Sequence, residues 1–336
     1  MDSSLGAAAG ARGGIAGRAA RVSARAAFFL LAPLLLAALL ASCRSAPAAP
    51  QVPAGAATIP LEPGGFAYVL IDVERARPII GHLEFMGMDA SDRQFRQMLD
   101  STRWAIAAVY MPREGEPEGT RIRLAAQGNF PSGRASMGMN FSRHWRGQRS
   151  ATTGDRFWYS SAALMSMAIS SREAHVSTSL RNEPVDPFYV GEGTEIPEGF
   201  NEFREGAIIS TWLDSPGEFI NDRLAEMHIP LEIPAEQLFM SIFQHEPQGG
   251  EQMYTAHLTI QMPGEAQAAG FATVLSFARL LFAPPPPAEG GGDMAAALLS
   301  ILFNNPTTAE GRNLHIRTGA MTAREVSELF GMFIIM

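Results

Sequence analysis

Apolar residues in this chain gather into short blocks separated by Pro, Gly and acidic residues, and the blocks recur in a similar order in the two halves. Ala67–Asp72 (AYVLID) and Ala207–Leu213 (AIISTWL), the latter followed by Asp214, are short runs of strand length. Each is followed by about 25 residues of mixed polarity with helical spacing. Two longer runs then follow in each half. They are Arg103–Met111 and Thr120–Phe130 in the first, and Leu238–Glu246 and Gln252–Met262 in the second. Their β-branched and aromatic content, with turn-forming residues between them, predicts two hairpins. Pro112 and Pro247 close the first strand of each hairpin, and Pro131 and Pro263 close the second. Proline lacks the amide a ladder needs and fits the first turn of a helix, so a helix is expected after each second proline.

The pattern continues differently in the two halves. The first ends in short strands around Phe157–Ser161, Ser166–Ser171 and His175–Ser179. The second has helical runs at Gly264–Phe282 and Met294–Phe303, a strand near Arg312–Thr318 and a final helix from Thr322. Thr322 and Glu325 have the spacing of a capping box. The expected fold class is α+β, as two β-α-β-β-α-β-like modules at 65–181 and 204–336 with antiparallel sheets and helices packed on one face. The shared punctuation reads as one module present twice. Residues 182–203, rich in Pro and Glu, are expected to be a solvated linker, and 43–64, rich in Ala and Pro, a flexible tether.

Residues 1–42 differ from the rest. Arg12, Arg18, Arg21 and Arg25 precede an apolar run from Ala26 to Ala41. A basic start, a short apolar core and small residues form the layout of a secretory signal. The run is shorter than the roughly 20 residues a membrane-spanning helix needs, and Pro33 interrupts it. It ends in Leu40-Ala41-Ser42-Cys43, which resembles the lipobox of bacterial lipoproteins. The resemblance, confined to the first 44 residues, implies cleavage between Ser42 and Cys43 and a diacylglycerol on the Cys43 thiol. It also implies export and anchoring to a membrane. With Arg44 rather than Asp after the cysteine, it implies outer-membrane sorting towards the periplasm in an organism with two membranes.

Composition narrows the function classes. Cys43 is the only cysteine, so no intrachain disulfide and no cysteine metal site can form. Without residues 1–42, which hold four arginines and Asp2, 22 arginines face 33 acids, a balance of −11, and there is no lysine. An acidic, exported chain is not expected to bind nucleic acid. Seven scattered histidines show no metal spacing, and no P-loop, dinucleotide fingerprint or G-x-S-x-G elbow occurs. Centring the second hairpin near Gly249 pairs His245 with about residue 253 rather than with His257, which argues against a shared metal. Asp72 and Asp214 end corresponding strands and would form a carboxylate pair only if those ends faced each other. No cofactor and no metal are expected.

Two segments carry candidate binding chemistry. Phe271, Leu275, Leu281 and Phe282, with Leu298 and Phe303, are apolar helical positions that either fill the core of the second module or form a hydrophobic groove. Around residue 145, Arg143, Arg146 and Arg149 surround Trp145. Guanidinium forks suit phosphate and carboxylate oxygens, so this stretch is a candidate for anionic lipid headgroups or a cell-wall polymer, the alternative being a solvated loop that balances the acidic remainder. The expected function is a non-enzymatic binding or scaffold protein, anchored by lipid and meeting an envelope protein or lipid partner. The alternative is a carrier of lipid or another hydrophobic ligand using helices 264–303, and the third reading is a hydrolase assembled from distant residues.

Overall fold

The structure is a computed structural model that describes residues 57–82, 99–112, 120–179, 183–226, 232–247, 250–281, 301 and 305–334. The signal segment, Ser42 and Cys43 lie outside the described residues.

Thirteen strands form one antiparallel sheet. The first half supplies β2 (Ala67–Asp72), β3 (Thr102–Tyr110), β4 (Arg121–Gly128), β5 (Arg146–Arg149), β6 (Arg156–Ser160), β7 (Met165–Ile169) and β8 (Glu173–Thr178). The second supplies β10 (Ile209–Asp214), β11 (Gln237–Gln244), β12 (Met253–Gln261), β13 (Thr307–Glu310), β14 (Asn313–Arg317) and β15 (Met321–Thr322). The order across the sheet is β13-β14-β12-β11-β10-β2-β3-β4-β8-β7-β6-β5, with β15 beside the start of β12.

Both expected hairpins form, as β3–β4 and β11–β12. The expected pair of separate sheets does not. β10 runs antiparallel to β2, from Ile209 opposite Ile71 to Leu213 opposite Ala67, and fuses the halves. Left apart, each of these apolar strands would present a bare row of N–H and C=O groups, and pairing them removes both open edges. The first half also holds a strand that the pattern does not predict, β5. Its end strands are laid down in reverse, so that β8 rather than β5 joins β4.

The main helices share one face of this sheet. They are α1 (Val73–Ile80), α2 (Ser132–Phe141), α4 (Gly217–Glu226), α5 (Glu265–Leu281) and α6 (Ala323–Ile334). Asp72 caps α1 by accepting the Arg75 amide at 3.1 Å. At α6 the capping box closes both ways: the Glu325 carboxylate accepts the Thr322 amide at 2.7 Å, and the Glu325 amide donates to Thr322 Oγ1. Ala76 and Ile79 of α1, Ile220 of α4, Ala268, Phe271 and Leu275 of α5 and Val326 of α6 pack onto alternate residues of the central strands, including Leu213, Met240, Leu258 and Ile316. The period of two along each strand sends these residues to one side.

The opposite face corrects two expectations. Tether residues Thr58–Ile59 form β1, paired with β9 (Thr194–Glu195) from the stretch expected to be a solvated linker. Ile59 and Leu61 are buried, and Phe200 of the short helix α3 (Phe200–Phe203) is wholly buried. These two straps cover an aromatic cluster that the central strands turn away from the helices. Tyr68 stacks on Trp212 with ring centroids 4.4 Å apart, and Phe200 meets Trp212 edge-on at 4.8 Å and Phe239 at 5.4 Å. Polar links hold the first strap down. Tyr110 OH donates to the Glu62 carbonyl at 2.6 Å, and Arg123 Nε lies 3.0 Å from the Glu62 carboxylate. Burial pushes the Tyr68 and Tyr110 hydroxyls up from the usual phenol range, so both stay protonated donors. Solvated Pro/Glu composition hid these straps because only a few residues in each, spaced irregularly, make the contact.

Candidate functional site: a basic and aromatic edge

The arginine-rich stretch folds into α2, a tight loop and the edge strand β5. Only Ala135 and Met139 of α2 are buried. Met137 and Phe141, one turn apart on its outer side, are 60% and 86% exposed. The loop is closed by short-range bonds: the Ser142 amide donates to the Gly138 carbonyl, and the Trp145 amide to the Ser142 carbonyl at 3.3 Å. This leaves Arg143 and His144 exposed and Trp145 half-buried.

All four residues of β5, Arg-Gly-Gln-Arg, are exposed, and β6 is the one strand it pairs with among the described residues. Short length and charge are what keep such an edge from pairing with other strands. Gly147 leaves room for the Arg156 guanidinium, which a Cβ there would meet at 2.8 Å and push aside. That guanidinium lies over the Trp158 ring, 5.4 Å from its centroid, and Trp158 Nε1 donates to Asn140 Oδ1 at 3.1 Å. Trp158 thereby ties the sheet to α2. Arg149 donates to the Gly154 carbonyl at 3.1 Å, and Ser150 Oγ donates to Asp186 at 2.6 Å, which pins the β5–β6 turn to the second strap.

β5 begins with Arg146 opposite Tyr159, near the end of β6. The 142–145 loop and the 161–164 turn therefore share one end of the sheet, and Leu164 there is 36% exposed. The result is a margin with exposed Phe141, Met137 and Leu164, half-buried Trp145, and the guanidinium groups of Arg143 and Arg146, while Arg149 stands at the other end of β5, by the β5–β6 turn. Such a surface can take up apolar chains beside anionic oxygens.

The other candidate groove residues are placed differently. Phe271 and Leu275 are buried in the helix-side core, while Val274 and Phe277 of α5 point outward at 52% and 62% exposure. The side chain of Leu281, together with Phe282, Leu298 and Phe303, lies outside the described residues. Asp72 and Asp214 cannot form a pair: β2 and β10 run antiparallel side by side, so these C-terminal ends lie at opposite ends of the strand pair, about 20 Å apart at the usual rise per residue. The second hairpin pairs Gln244 with Tyr254, and the His245 amide donates to the Met253 carbonyl. His245 instead meets Thr255, and His257 packs on Phe243 at 4.5 Å.

One histidine lines a cavity. His175, from the middle of the first half, faces Phe188 at 5.4 Å and Glu173 at 3.6 Å in a space of about 430 Å³ that also touches Arg156 and Trp158. Burial pulls its pKa below the ordinary histidine value, against the pull of Glu173 in the other direction. At 3.6 Å the His175–Glu173 contact is too long for a hydrogen bond that would orient a catalytic base. A larger cleft, of about 1050 Å³, opens on the strap face at the lower ends of β10, β11, β12 and β14. Sequence reading missed it. The available signal was that each of these strands ends or begins in a carboxylate or amide: Asp214, Gln237, Gln261 and Asn313.

No family model matches the chain, and none of the curated proteins matches it. Solved structures do match. Crystal form IV of the protein TP0453 superposes with a TM-score of 0.52 at 14% identity, covering 84% of this chain and 100% of that one. Crystal forms III and I each give 0.50, at 13% and 14% identity, covering 80% of this chain and 94% and 93% of theirs. At such low identity the likeness is one of fold.

Proposed function

We propose that this chain is a lipid-anchored envelope lipoprotein whose folded body is a non-enzymatic binding protein facing the periplasm, with the α2–β5 margin as its contact to anionic lipid headgroups. The observation that carries the contact is Phe141, 86% exposed at the end of a helix and followed at once by Arg143, Trp145 and Arg146. A large aromatic side chain left almost wholly in water on a folded body is a functional mark when it sits in a patch. The anchor rests on the lipobox-like Leu40-Ala41-Ser42-Cys43. The two features complement each other physically. One acyl chain gives marginal binding, and stable attachment comes from several signals acting together. Each arginine close to an anionic surface adds about 1 kcal/mol, so Arg143 and Arg146 together supply roughly 2 kcal/mol at low salt. The overall acidity of the chain makes this margin the more distinct.

The carrier reading draws on outward-facing Val274 and Phe277, but the two described groove candidates, Phe271 and Leu275, are committed to the core. The margin is therefore preferred.

Two measurements test the proposal. Metabolic labelling with an alkyne fatty acid should tag the wild type and leave Cys43→Ser untagged. The unacylated mature protein should co-sediment with phosphatidylglycerol vesicles and not with phosphatidylcholine vesicles. Combined Phe141→Ser and Arg146→Gln changes should abolish that difference. Equal sedimentation of both proteins with both vesicles refutes the margin, and an untagged wild type refutes the anchor.

A further inference from the structure

The cleft at the lower end of the second half has a construction that the membrane contact does not use. In the sheet, Asp214 lies opposite Gln237, Gln237 opposite Gln261, and Gln261 opposite Asn313. Residues directly opposite share a face, so these four side chains form one row across four strands, at the strand spacing of about 4.8 Å. The neighbouring residues Leu213, Leu238, Ile260 and Leu314 go to the helix-side core, which puts the row on the strap face. It floors the cleft of about 1050 Å³. The walls come from the Pro197-Glu198-Gly199 turn of the second strap and from the start of α4. Gly217 lets that helix start approach closely, because a Cβ there would lie 3.0 Å from the Ala235 carbonyl.

The row is chemically unspent. None of the four side chains bonds to another described residue, and the Oδ1 of Asn313 is buried without a partner. A buried amide oxygen left without a hydrogen bond costs about 1–3 kcal/mol, and turning the half-buried Asn313 amide towards the cleft would let a ligand supply the donor. Gln and Asn each offer donors and an acceptor, and Asp214 accepts only.

The lining also excludes ligand classes. Apart from Pro197 and Ala235 its side chains are polar or absent, so an apolar ligand finds no surface. Arg312 pairs with Glu236 at 3.2 Å, which leaves Glu198, Asp214 and Glu218 without a cation in the cleft and repels anions. The volume far exceeds that of an ion.

From the periodic amide row, the uncompensated carboxylates and the size, we infer that this cleft binds a neutral, hydroxyl-rich chain, a linear oligosaccharide lying across the strands. The repeat of the row is close to the length of one sugar ring in an extended glycan, so successive rings meet successive amides. Carboxylates at the rim accept hydrogen bonds from sugar hydroxyls, and the amide row donates to and accepts from them.

The test uses unacylated mature protein (Cys43→Ser), which removes any dependence on the membrane proposal. It is screened on an array of linear neutral oligosaccharides and then titrated calorimetrically with the tetrasaccharides that score. The Gln237→Ala/Gln261→Ala double variant, checked for an unchanged melting temperature, should weaken binding at least tenfold, and Asp214→Asn should weaken it less. The Phe141→Ser/Arg146→Gln variant should bind sugar as the wild type does. An array without binders overturns the inference, as does sugar binding that the double variant leaves unchanged. Preferential, salt-sensitive binding of an oligolysine peptide would show a site for basic peptides and would overturn it as well.

Discussion

Replacing Phe200 with alanine separates two pictures of the segment between the halves. As part of a solvated linker, Phe200 would contribute nothing to stability. In the structure it is wholly buried and meets three rings: Trp212 at 4.8 Å, Phe239 at 5.4 Å and Phe203 at 6.4 Å. Removing a fully buried phenyl ring costs about 3–5 kcal/mol through lost transfer energy and the cavity left behind. The ring contacts belong to the same loss, each worth about 0.5–1.5 kcal/mol beyond burial. Because α3 is a single turn at the surface, partial collapse of the strap onto Trp212 should bring the cost to the lower part of that range. The assay is equilibrium urea unfolding of wild type and Phe200→Ala, followed by far-UV circular dichroism and by tryptophan emission. A loss near 3 kcal/mol with an unchanged denaturant slope is expected, together with faster protease cleavage between residues 183 and 206. A loss below about 0.5 kcal/mol would refute the reasoning, since only an exposed residue behaves so.

Three further changes probe other parts of the fold. Arg123→Met removes the guanidinium 3.0 Å from the Glu62 carboxylate while keeping the side chain's bulk, and should cost roughly 1–3 kcal/mol in urea unfolding, with the first strap the earliest site of proteolysis. Thr322→Ala takes away the N-cap of α6 and should cost about 1 kcal/mol, read in the same experiment. His175 is held neutral by burial, so its folded pKa lies below the unfolded value. The unfolded chain then binds more protons as pH falls below about 6.5, and stability should decline through that window until the folded pKa is reached. His175→Gln should flatten the decline, and an unchanged pH profile would contradict it. His257, also lowered by burial and by Arg317 and His245, contributes in the same direction, which makes the double His175→Gln/His257→Gln variant the cleaner control.

Apolar runs and local punctuation were enough to place both long hairpins, the strand at 67–72, the strand read at 207–213 and found at Ile209–Asp214, and the cap of the last helix, because each depends on contacts within a few residues of chain. Candidate chemistry was legible to the same depth. The cluster at Arg143, Trp145, Arg146 and Arg149 is local, and the fold leaves its arginines exposed, whereas Phe271 and Leu275 could be read as groove or core until their neighbours were known. What tertiary structure alone decided was everything that joins distant residues. It joined β2 to β10 and so made one sheet of two, and it turned Ile59, Leu61 and Phe200 from apparent tether and linker into a lid over Tyr68 and Trp212. It also set Asp214, Gln237, Gln261 and Asn313 in a single row. Periodicity tells which face of a strand is apolar, but a strand carries no record of its neighbour. Strand order is chosen by which edges and faces can be buried together, and that is a property of the whole chain.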